Sequence, residues 1–230
     1  EVWDRPLSAA MQRQADTRPF SRPEENPLFT NFKYTPLVGF DYSDGDGTIS
    51  RRDPSKIFYV NGQYFVLYSK RSTETPCLGM EGAKDATATI ASADWDLGEV
   101  WYATSNDGFV WEEQGVAVPR PPKPQVGWRA VCTPDILKWE GRFYLYYQAF
   151  TEPSGLRGDY CPIAVSHSDS PDGPWTPVDA EVIPTGKEGE WDQYAVHGPC
   201  MLVRDGKIYC YYTSAFNRPG CVWITMGLAI

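Results

Sequence analysis

A short polar segment carries the residues best suited to acid–base chemistry. Asp53 follows Arg51 and Arg52 and precedes a proline at the start of an apolar run. If the apolar run is a strand that lines a channel, a carboxylate at its start lies at the channel mouth and is well placed to act as a general base. An adjacent guanidinium can orient a polar ligand. The alternative is a turn carboxylate that caps the backbone N–H of Ser55 or Lys56. The residue types alone favour neither interpretation.

Two further segments place a residue before a proline at the start of an apolar run, as Asp53 is placed. The residues in this pre-proline slot are Thr133 and Gly198. If the three runs line one pocket, the slots converge although they are far apart in the chain. Asp135 lies two residues beyond Thr133 and points the same way in a regular strand. His197 immediately precedes Gly198, so we expect both Asp135 and His197 to lie near the slots.

Three other side chains near these segments have suitable chemistry for a site. Gln148 follows an aromatic strand and can both donate to and accept from a hydroxyl. Trp128 lies in a loop and can stack on a ring, although packing of that loop explains it equally well. Asp192, in the loop that leads to His197, is either a partner of the site or a turn residue, and the turn is the favoured interpretation.

The three slots belong to a unit that the chain repeats. Copies at residues 53–68, 133–147 and 198–212 each contain two apolar runs around a glycine-containing turn, the pattern of a β-hairpin. In the first two copies a third run, an Asp-Gly turn and an aromatic residue follow. These turns and aromatics are Asp107-Gly108 with Trp111 and Asp172-Gly173 with Trp175. Four antiparallel strands in each repeat predict the blade of a β-propeller.

The spacing and number of the repeats predict long loops and an incomplete ring. The prolines at 54, 134 and 199 are 80 and 65 residues apart, more than the usual period of about 40–50 residues. The third unit stops at residues 226–230, which resemble the start of its third strand. Because three blades cannot close a ring, we expect the chain to be the N-terminal part of a longer protein. An open domain of three units is the alternative.

A separate segment, residues 1–30, precedes the predicted blades, which cover residues 31–230. Residues 7–15 are the most convincing helical stretch, with Ser8 as its N-cap. A helix this short is marginal alone in water, so it must pack on its own propeller or on a neighbouring chain.

Composition limits the partners. The net charge of −9 argues against a polyanion such as nucleic acid, and no apolar run approaches the length of a membrane span. We expect a periplasmic or secreted bacterial protein, with the cytoplasm as the alternative.

No metal or cofactor is indicated by the sequence. The six cysteines match no zinc motif. Cys132, Cys200 and Cys210 lie in or beside strand runs, which favours buried free thiols over a disulfide lattice. The acidic stretch with Asp41, Asp44 and Asp46 lacks the glutamate of a calcium loop, so a solvated turn is the better interpretation. A bound divalent cation stays open but no cofactor is expected to be required.

Several segments in order along nearly the whole chain resemble glycoside hydrolase family 117, the α-1,3-L-neoagarooligosaccharide hydrolases. Each segment alone is a weak signal, whereas their order is specific. The segments are Ser8-x-Ala10-x-x-Arg13, then residues 51–55, 118–123, 132–137 and 191–199.

The resemblance implies an all-β, five-bladed β-propeller, of which about three blades are present, with a short N-terminal helix. It implies an exo-acting, inverting enzyme that releases 3,6-anhydro-L-galactose from the non-reducing end of neoagarooligosaccharides, with Asp53 as general base. The helix of that family is exchanged within a homodimer, which implies dimer contacts at Ser8, Ala10 and Arg13. The predicted substrate-binding residues are Arg52, Trp128, Thr133, Asp135, Gln148 and His197.

Two departures from the family pattern qualify these expectations. The family usually carries an aspartate where this chain has Gly198, and its general-acid region would lie beyond Ile230. Two other functions therefore stay open. One is a catalytically degenerate glycan-binding propeller, and the other is a related five-bladed glycosidase that acts on another glycan, such as an arabinoside.

Overall fold

Strands dominate the part of the chain that the structure describes. A computed structural model describes residues 37–40, 45–218 and 221–230, with only the backbone of those between 215 and 224. Sheet 1 consists of β1 (Ile49–Arg52), β2 (Phe58–Val60), β3 (Gln63–Ser72), β4 (Glu99–Ser105) and β5 (Trp111–Val118). Sheet 2 consists of β6 (Ala130–Trp139), β7 (Arg142–Phe150), β8 (Ile163–Ser168) and β9 (Thr176–Ile183). Sheet 3 consists of β10 (His197–Arg204), β11 (Lys207–Arg218) and β12 (Cys221–Ala229).

Each sheet is an antiparallel meander that corresponds to one sequence repeat. Neighbouring strands pair in chain order, β1-β3-β4-β5 with β2 also on β3, then β6-β7-β8-β9, then β10-β11-β12. A short 3₁₀ helix, Met80–Asp85, lies in the loop between β3 and β4. The all-β prediction is therefore confirmed for the described residues, and the predicted long loops lie between strands.

The hairpin turns follow from their sequences. Each consists of a residue and a glycine that both have positive φ, a turn whose twist matches the twist of the flanking strands. The turns are Asn61-Gly62 (φ 52° and 84°), Glu140-Gly141 (48° and 85°) and Asp205-Gly206 (50° and 72°). The predicted aromatics also occupy the expected places, because Trp111 begins β5 and Trp175 immediately precedes β9.

The third strand of sheet 3 begins earlier than the sequence predicted. It covers Cys221–Ala229 rather than starting at Met226, so residues 226–229 are its end. The cause is the length of β11, which pairs with β12 without interruption from Cys210 opposite Ala229 to Arg218 opposite Cys221.

Apolar side chains fill the spaces between neighbouring sheets. One cluster joins the first two sheets through Leu67, Val100 and Leu145, and another joins the second and third through Ile163 and Met201. Each fully buried aliphatic or aromatic side chain contributes roughly 1.5–3 kcal/mol. Both faces of sheet 2 are therefore covered, which explains the near-continuous burial of β6 and β7.

The described cysteines are free thiols. Cys132 and Cys210 are buried as predicted, but Cys200 is exposed. The alternation along β10 explains the difference, because Met201 faces the core and Cys200 therefore faces outward.

Several sequence predictions fall outside the described residues, namely the helix at 7–15 with Ser8, Ala10 and Arg13, and the acids Asp41 and Asp44. Asp46 is described, and its Oδ1 accepts bonds from the Thr48 N–H (2.9 Å) and hydroxyl (2.7 Å), which fits the predicted turn. In the described part of the chain no helix has the length and apolar character to cross a membrane. Within the same residues, no group of three or more metal-ligating side chains is assembled.

Candidate functional site

The three pre-proline slots share an unusual backbone conformation. Asp53, Thr133 and Gly198 have φ values of 51°, 51° and 56°, in the left-handed region that most residues avoid. Each adjoins a break in strand pairing, because proline cannot donate to the ladder. The pairing shifts between Cys132 and Asp135 and again after His197, whereas the first slot separates β1 from β2. These irregularities turn the slot residues toward a common space.

That common space is a pocket of about 220 Å³ between the ends of the innermost strands. All three sheets and two of the long loops contribute to it. Its lining residues are Arg52, Asp53, Trp95, Cys132, Thr133, Gln148, Asp159, His197, Gly198 and Thr213. Five of the seven residues that the sequence predicted for catalysis and substrate binding therefore meet here, namely Arg52, Asp53, Thr133, Gln148 and His197.

The Asp53 carboxylate is held by two neighbours. Its Oδ2 accepts hydrogen bonds from Arg52 Nε at 2.8 Å and from the Thr133 hydroxyl at 3.2 Å. The Ser55 N–H donates to the carbonyl of Leu67 at 2.7 Å, so Asp53 does not cap Ser55, one of the two N–H groups that the alternative interpretation named. One carboxylate oxygen is thus oriented while Oδ1 accepts no hydrogen bond from the described residues.

An aromatic wall, not predicted from the sequence, lies beside this carboxylate. The Arg52 guanidinium lies 4.8 Å from the centre of the Trp95 ring. Trp95 Nε1 donates to Ser154 Oγ at 2.7 Å and to Asp159 Oδ1 at 3.1 Å. These contacts fix the indole in place and leave it as an apolar surface for a ring-shaped ligand.

Asp159 is a second carboxylate in the pocket, and it faces His197. His197 Nε2 lies 3.2 Å from the carbonyl oxygen of Asp159 and 3.5 Å from its Oδ2. Both atoms are acceptors, so Nε2 carries a hydrogen. In the neutral ring Nδ1 is then the acceptor.

The backbone of the third slot is held by Gln148. The Gly198 N–H donates to Gln148 Oε1 at 3.2 Å, and Gln148 Nε2 donates to Cys161 Sγ at 3.4 Å. Gln148 is 93% buried, so its amide joins sheets 2 and 3 at the floor of the pocket. The second slot is tied in the same way to sheet 1, since the Thr133 N–H donates to Ser69 Oγ at 2.7 Å.

The absence of a side chain at Gly198 leaves space. A Cβ at this position meets only Thr213 Oγ1, at 4.0 Å. The left-handed backbone is no obstacle in principle, because Asp53 and Thr133 adopt nearly the same φ in their own slots.

Two predicted substrate contacts do not line this pocket. Asp135 is buried, and its carboxylate accepts bonds from the N–H of Ile136 (3.0 Å) and of Met201 (2.7 Å) and pairs with Lys56 Nζ at 3.1 Å. It therefore joins the three sheets. Trp128 lies in the loop before β6, where Lys123 Nζ sits 4.5 Å from its ring centre.

A buried ion pair anchors the loop that presents Trp95. Arg129 Nε and Nη2 donate to Asp96 Oδ1 (2.6 Å) and Oδ2 (2.5 Å), and both side chains are almost fully buried. Asp96 also accepts bonds from the N–H and hydroxyl of Ser92, at 2.7 and 3.0 Å. Because the buried charges of Arg129 and Asp96 are paired with each other, they fix the loop next to the start of β6.

Asp192 anchors the loop that leads to His197. Its Oδ2 accepts a bond from the Tyr212 hydroxyl at 2.9 Å, and burial together with this bond raises the pKa of Tyr212 to about 12. The backbone carbonyl of Asp192 also accepts a hydrogen bond from the Gly186 N–H. Asp192 therefore stabilises the turn and also supports the segment that carries His197.

The sequence missed Trp95, Asp159, Cys132 and Thr213 as lining residues. Trp95 and Asp159 lie in inserted loops, where the only signal was the expectation that such loops carry the site. Cys132 is not a nucleophile candidate, because burial raises the pKa of its thiol far above the usual range.

Comparisons with known proteins point to one family. No protein-family model matches the chain, and no curated protein matches it significantly. Among solved structures, the chain is similar to Zg3597, a family 117 glycoside hydrolase from the marine bacterium Zobellia galactanivorans. The identity is 60%, the match covers 85% of this chain and 56% of that one, and the TM-score is 0.80. The chain thus spans just over half the length of this relative.

More distant structures are similar in fold alone. A protein described as a glycoside hydrolase is 11% identical, with 98% of this chain and 62% of that one covered and a TM-score of 0.63. An endo-arabinase from Bacteroides thetaiotaomicron is 15% identical, with 86% and 55% covered and a TM-score of 0.51. With 60% identity over most of its length to a family 117 protein, the chain belongs to glycoside hydrolase family 117.

Proposed function

We propose that the protein is an exo-acting glycoside hydrolase that releases 3,6-anhydro-L-galactose from the non-reducing end of neoagarooligosaccharides, with inversion. Family membership supports hydrolysis of a glycosidic bond, and the motif resemblance supports this substrate. The observation that carries the proposal is the convergence of polar side chains from all three sheets around the Asp53 carboxylate in one pocket.

The geometry of Asp53 suits a general base. Arg52 and Thr133 hold Oδ2, which leaves the other oxygen available to a water molecule. In an inverting reaction the base takes a proton from water while the water oxygen attacks the anomeric carbon, and an acid protonates the departing oxygen. Asp159 is engaged with Trp95 and His197, so we expect the acid outside this chain's described residues.

The size of the pocket favours removal of one sugar at a time. Its volume of about 220 Å³ is below the ~300–1,000 Å³ typical of sites for drug-sized ligands and suits a single ring. Trp95 supplies an apolar face for the C–H groups of the sugar, and the polar side chains opposite it suit the hydroxyls.

Gly198 favours a second candidate, a glycan-binding protein without turnover. The slot that carries an aspartate in most members of the family has no carboxylate here, whereas the ligand-binding groups around it are retained. A third candidate, a glycosidase acting on an arabinoside, has the same pocket chemistry and differs only in the sugar accepted.

The deciding experiment incubates the full-length protein with neoagarobiose and follows the anomeric signals by proton NMR. We expect release of 3,6-anhydro-L-galactose as the inverted anomer. Binding without release would favour the glycan-binding candidate. Release from an arabinoside but not from neoagarobiose would favour the third.

We also propose the arrangement in which this site works. The three sheets pack through apolar faces, which supports successive blades of a closed, five-bladed propeller. The motif of Ser8, Ala10 and Arg13 supports a homodimer that exchanges residues 1–30. The chemistry needs no cofactor, and an algal polysaccharide as substrate suits a periplasmic or secreted protein.

A further inference from the structure

The loop between β7 and β8 lies against the 3₁₀ helix in the loop between β3 and β4. The contact is made at Gly155, whose φ of 102° is one that glycine adopts without strain and other residues avoid. A Cβ at this position would overlap the Met80 carbonyl oxygen and lie 3.0 Å from the Ala83 Cβ. The backbone conformation and the close approach to the 3₁₀ helix therefore both require glycine here.

The residue before this glycine, Ser154, holds the indole of Trp95. Ser154 is 2% exposed, and its Oγ accepts the Trp95 Nε1–H at 2.7 Å. Asp159, from the same loop, shares that N–H at 3.1 Å. The Arg129–Asp96 pair fixes the backbone next to Trp95, whereas these two bonds hold the ring itself. The position of the indole therefore depends on where the loop between β7 and β8 docks.

The indole in turn supports the Arg52 guanidinium, which lies 4.8 Å from the ring centre. The Arg52 side chain is 36% exposed, so contact with the ring restricts rotamers that it would otherwise sample. The same guanidinium donates through Nε to Asp53 Oδ2 at 2.8 Å. A series of contacts thus leads from the docked loop to the carboxylate in the first slot.

We propose that Ser154 and Gly155 are positioning residues for Asp53. Gly155 lets the loop dock on the 3₁₀ helix, and Ser154 then holds the Trp95 indole against Arg52. Neither Ser154 nor Gly155 lines the pocket, so both act through Trp95. The inference rests on the proposed function, because Asp53 is the general base of that reaction.

The first test needs no sugar and follows the side-chain N–H groups of Arg52 and Trp95 by heteronuclear NMR of the full-length protein. The signals are assigned by their loss in Arg52→Lys and Trp95→Phe. We expect Ser154→Ala and Gly155→Ala each to speed exchange of the Arg52 Nε–H with water by about tenfold, because its bond to Asp53 opens more often. If Gly155→Ala does not fold, Ser154→Ala alone decides. An exchange rate that equals the parent's in Ser154→Ala overturns the inference.

The second test is a double-mutant cycle that measures kcat/KM on neoagarobiose. Ser154→Ala is expected to lower kcat/KM by about tenfold, the change that corresponds to one lost hydrogen bond. The ring in Trp95→Phe has no N–H, so adding Ser154→Ala to it causes no further loss. An equal loss in both backgrounds would show that Ser154 does not act through the indole, and the inference would be wrong.

Matched variants separate positioning from folding. Gly141→Ala adds a Cβ at a φ of 85°, in a hairpin turn where the new atom meets nothing within 4 Å. Ser166→Ala removes a buried hydroxyl that lies 3.0 Å from the Tyr147 hydroxyl and outside the pocket. Both controls keep the parent's Arg52 Nε–H exchange and its kcat/KM.

The two tests also separate this inference from the proposed function. A parent that hydrolyses neither neoagarobiose nor an arabinoside refutes the proposed function. The exchange of the Arg52 Nε–H then still shows whether Ser154 holds Arg52 against Asp53, since it is measured without a sugar.

Discussion

Asp53 combines a strained backbone with an oriented carboxylate. A left-handed φ costs a residue other than glycine on the order of 1–2 kcal/mol, so the surrounding contacts must maintain it. Pro54 removes one ladder donor, while the Ser55 N–H and hydroxyl both bond to Leu67 and restore the attachment to β3. The site is thus stabilised by groups one and two residues away from the carboxylate.

Asp53→Asn is expected to abolish turnover and leave the fold intact. The amide preserves the shape but cannot accept a proton from water, and the loss of a general base typically costs 10²–10⁴-fold or more in rate. The measurement is kcat on neoagarobiose, together with thermal unfolding. Asp169→Asn, at an exposed carboxylate that pairs with Arg142, is the control and keeps full activity. Unchanged turnover in Asp53→Asn would remove this residue from the mechanism.

Gly198→Asp is expected to fold and to raise turnover. The nearest atom to the new Cβ is 4.0 Å away, so the cost is confined to backbone strain of roughly 1–2 kcal/mol. A carboxylate here supplies the residue type that the resemblance to the family implies for this slot. Gly198→Asn has the same shape without the charge and serves as the control. Equal kcat/KM for Gly198→Asp and Gly198→Asn would show that the missing carboxylate does not limit activity.

The innermost strands are tied together beyond the pocket by a three-way clamp. Lys56 lies between β1 and β2, Asp135 on β6 and Met201 on β10, at nearly equivalent places after each slot. Lys56 Nζ contacts both Asp135 Oδ2 (3.1 Å) and the Met201 carbonyl (3.2 Å). Asp135 accepts the Met201 N–H at 2.7 Å. One carboxylate therefore links the innermost segments of all three sheets.

Asp135→Ala is expected to lower the free energy of unfolding by about 2–4 kcal/mol, because it leaves the Met201 N–H without its acceptor and the Lys56 ammonium without its counter-charge. Denaturant unfolding of the full-length protein measures the change. Lys56→Met should cost less, because Lys56 is 47% exposed and its removal leaves the two backbone bonds to Asp135 in place. A loss for Asp135→Ala below that for Lys56→Met would contradict the clamp.

A second charged cluster links strands within sheet 1. Glu113 on β5 accepts hydrogen bonds from Arg51 on β1 and from Tyr68 and Lys70 on β3. Burial raises the pKa of Glu113, but the bonds from these three residues outweigh that effect and lower the pKa to about 2. Burial and the nearby carboxylate raise the pKa of Tyr68, which keeps it protonated as a donor.

Glu113 makes stability depend on pH in the acid range. Its pKa in the folded state lies below the ordinary value of 4.5, so its stabilising effect is complete above about pH 4.5. The effect is lost as the pH falls toward 2, where the folded state also becomes protonated. Glu113→Gln is expected to be less stable than the parent at pH 6, with the difference narrowing below pH 4. Thermal unfolding between pH 2 and 6 measures this, and a difference that stays constant across the range would refute it.

The repeat made the local structure predictable, whereas the details of the site were not. The Asn61-Gly62 turn and the opening of β5 by Trp111 follow from turn chemistry and alternation, which act over a few residues. Asp135 was expected to face the same way as Thr133. The structure differs because Cys132 pairs with Gln148 and Asp135 with Tyr146, so β6 advances three residues while β7 advances two. The extra residue in β6 breaks the alternation of side chains.

The roles of Trp95 and Asp159 could not be predicted from short-range sequence patterns. Their positions depend on contacts distant in sequence, the Arg129–Asp96 pair in one case and the bridge of Cys161 to Ala195 in the other. Such contacts carry no periodic signal. The convergence of the three slots was predictable because it follows from the repeat itself.

For the assembled protein, the prediction with the widest consequence concerns its subunits. Deletion of residues 1–18 is expected to convert a dimer into a monomer, because the motif with Ser8, Ala10 and Arg13 is removed. Light scattering with size-exclusion chromatography measures the mass. The single substitution Arg13→Ala keeps the chain length and should weaken the dimer. An unchanged mass after the deletion would contradict the proposal that this segment is exchanged between subunits.

Since Arg52, Thr133 and His197 reach the pocket from three different sheets, an occupant of the pocket acts as a cross-brace between them. Ligand at about 100 times its Kd adds roughly 2.7 kcal/mol to the stability of the folded state. Openings that separate the sheets are suppressed to the same degree, and with them cleavage by proteases. In a cell that feeds on its glycan, the lifetime of this protein would then follow the supply of the sugar it binds.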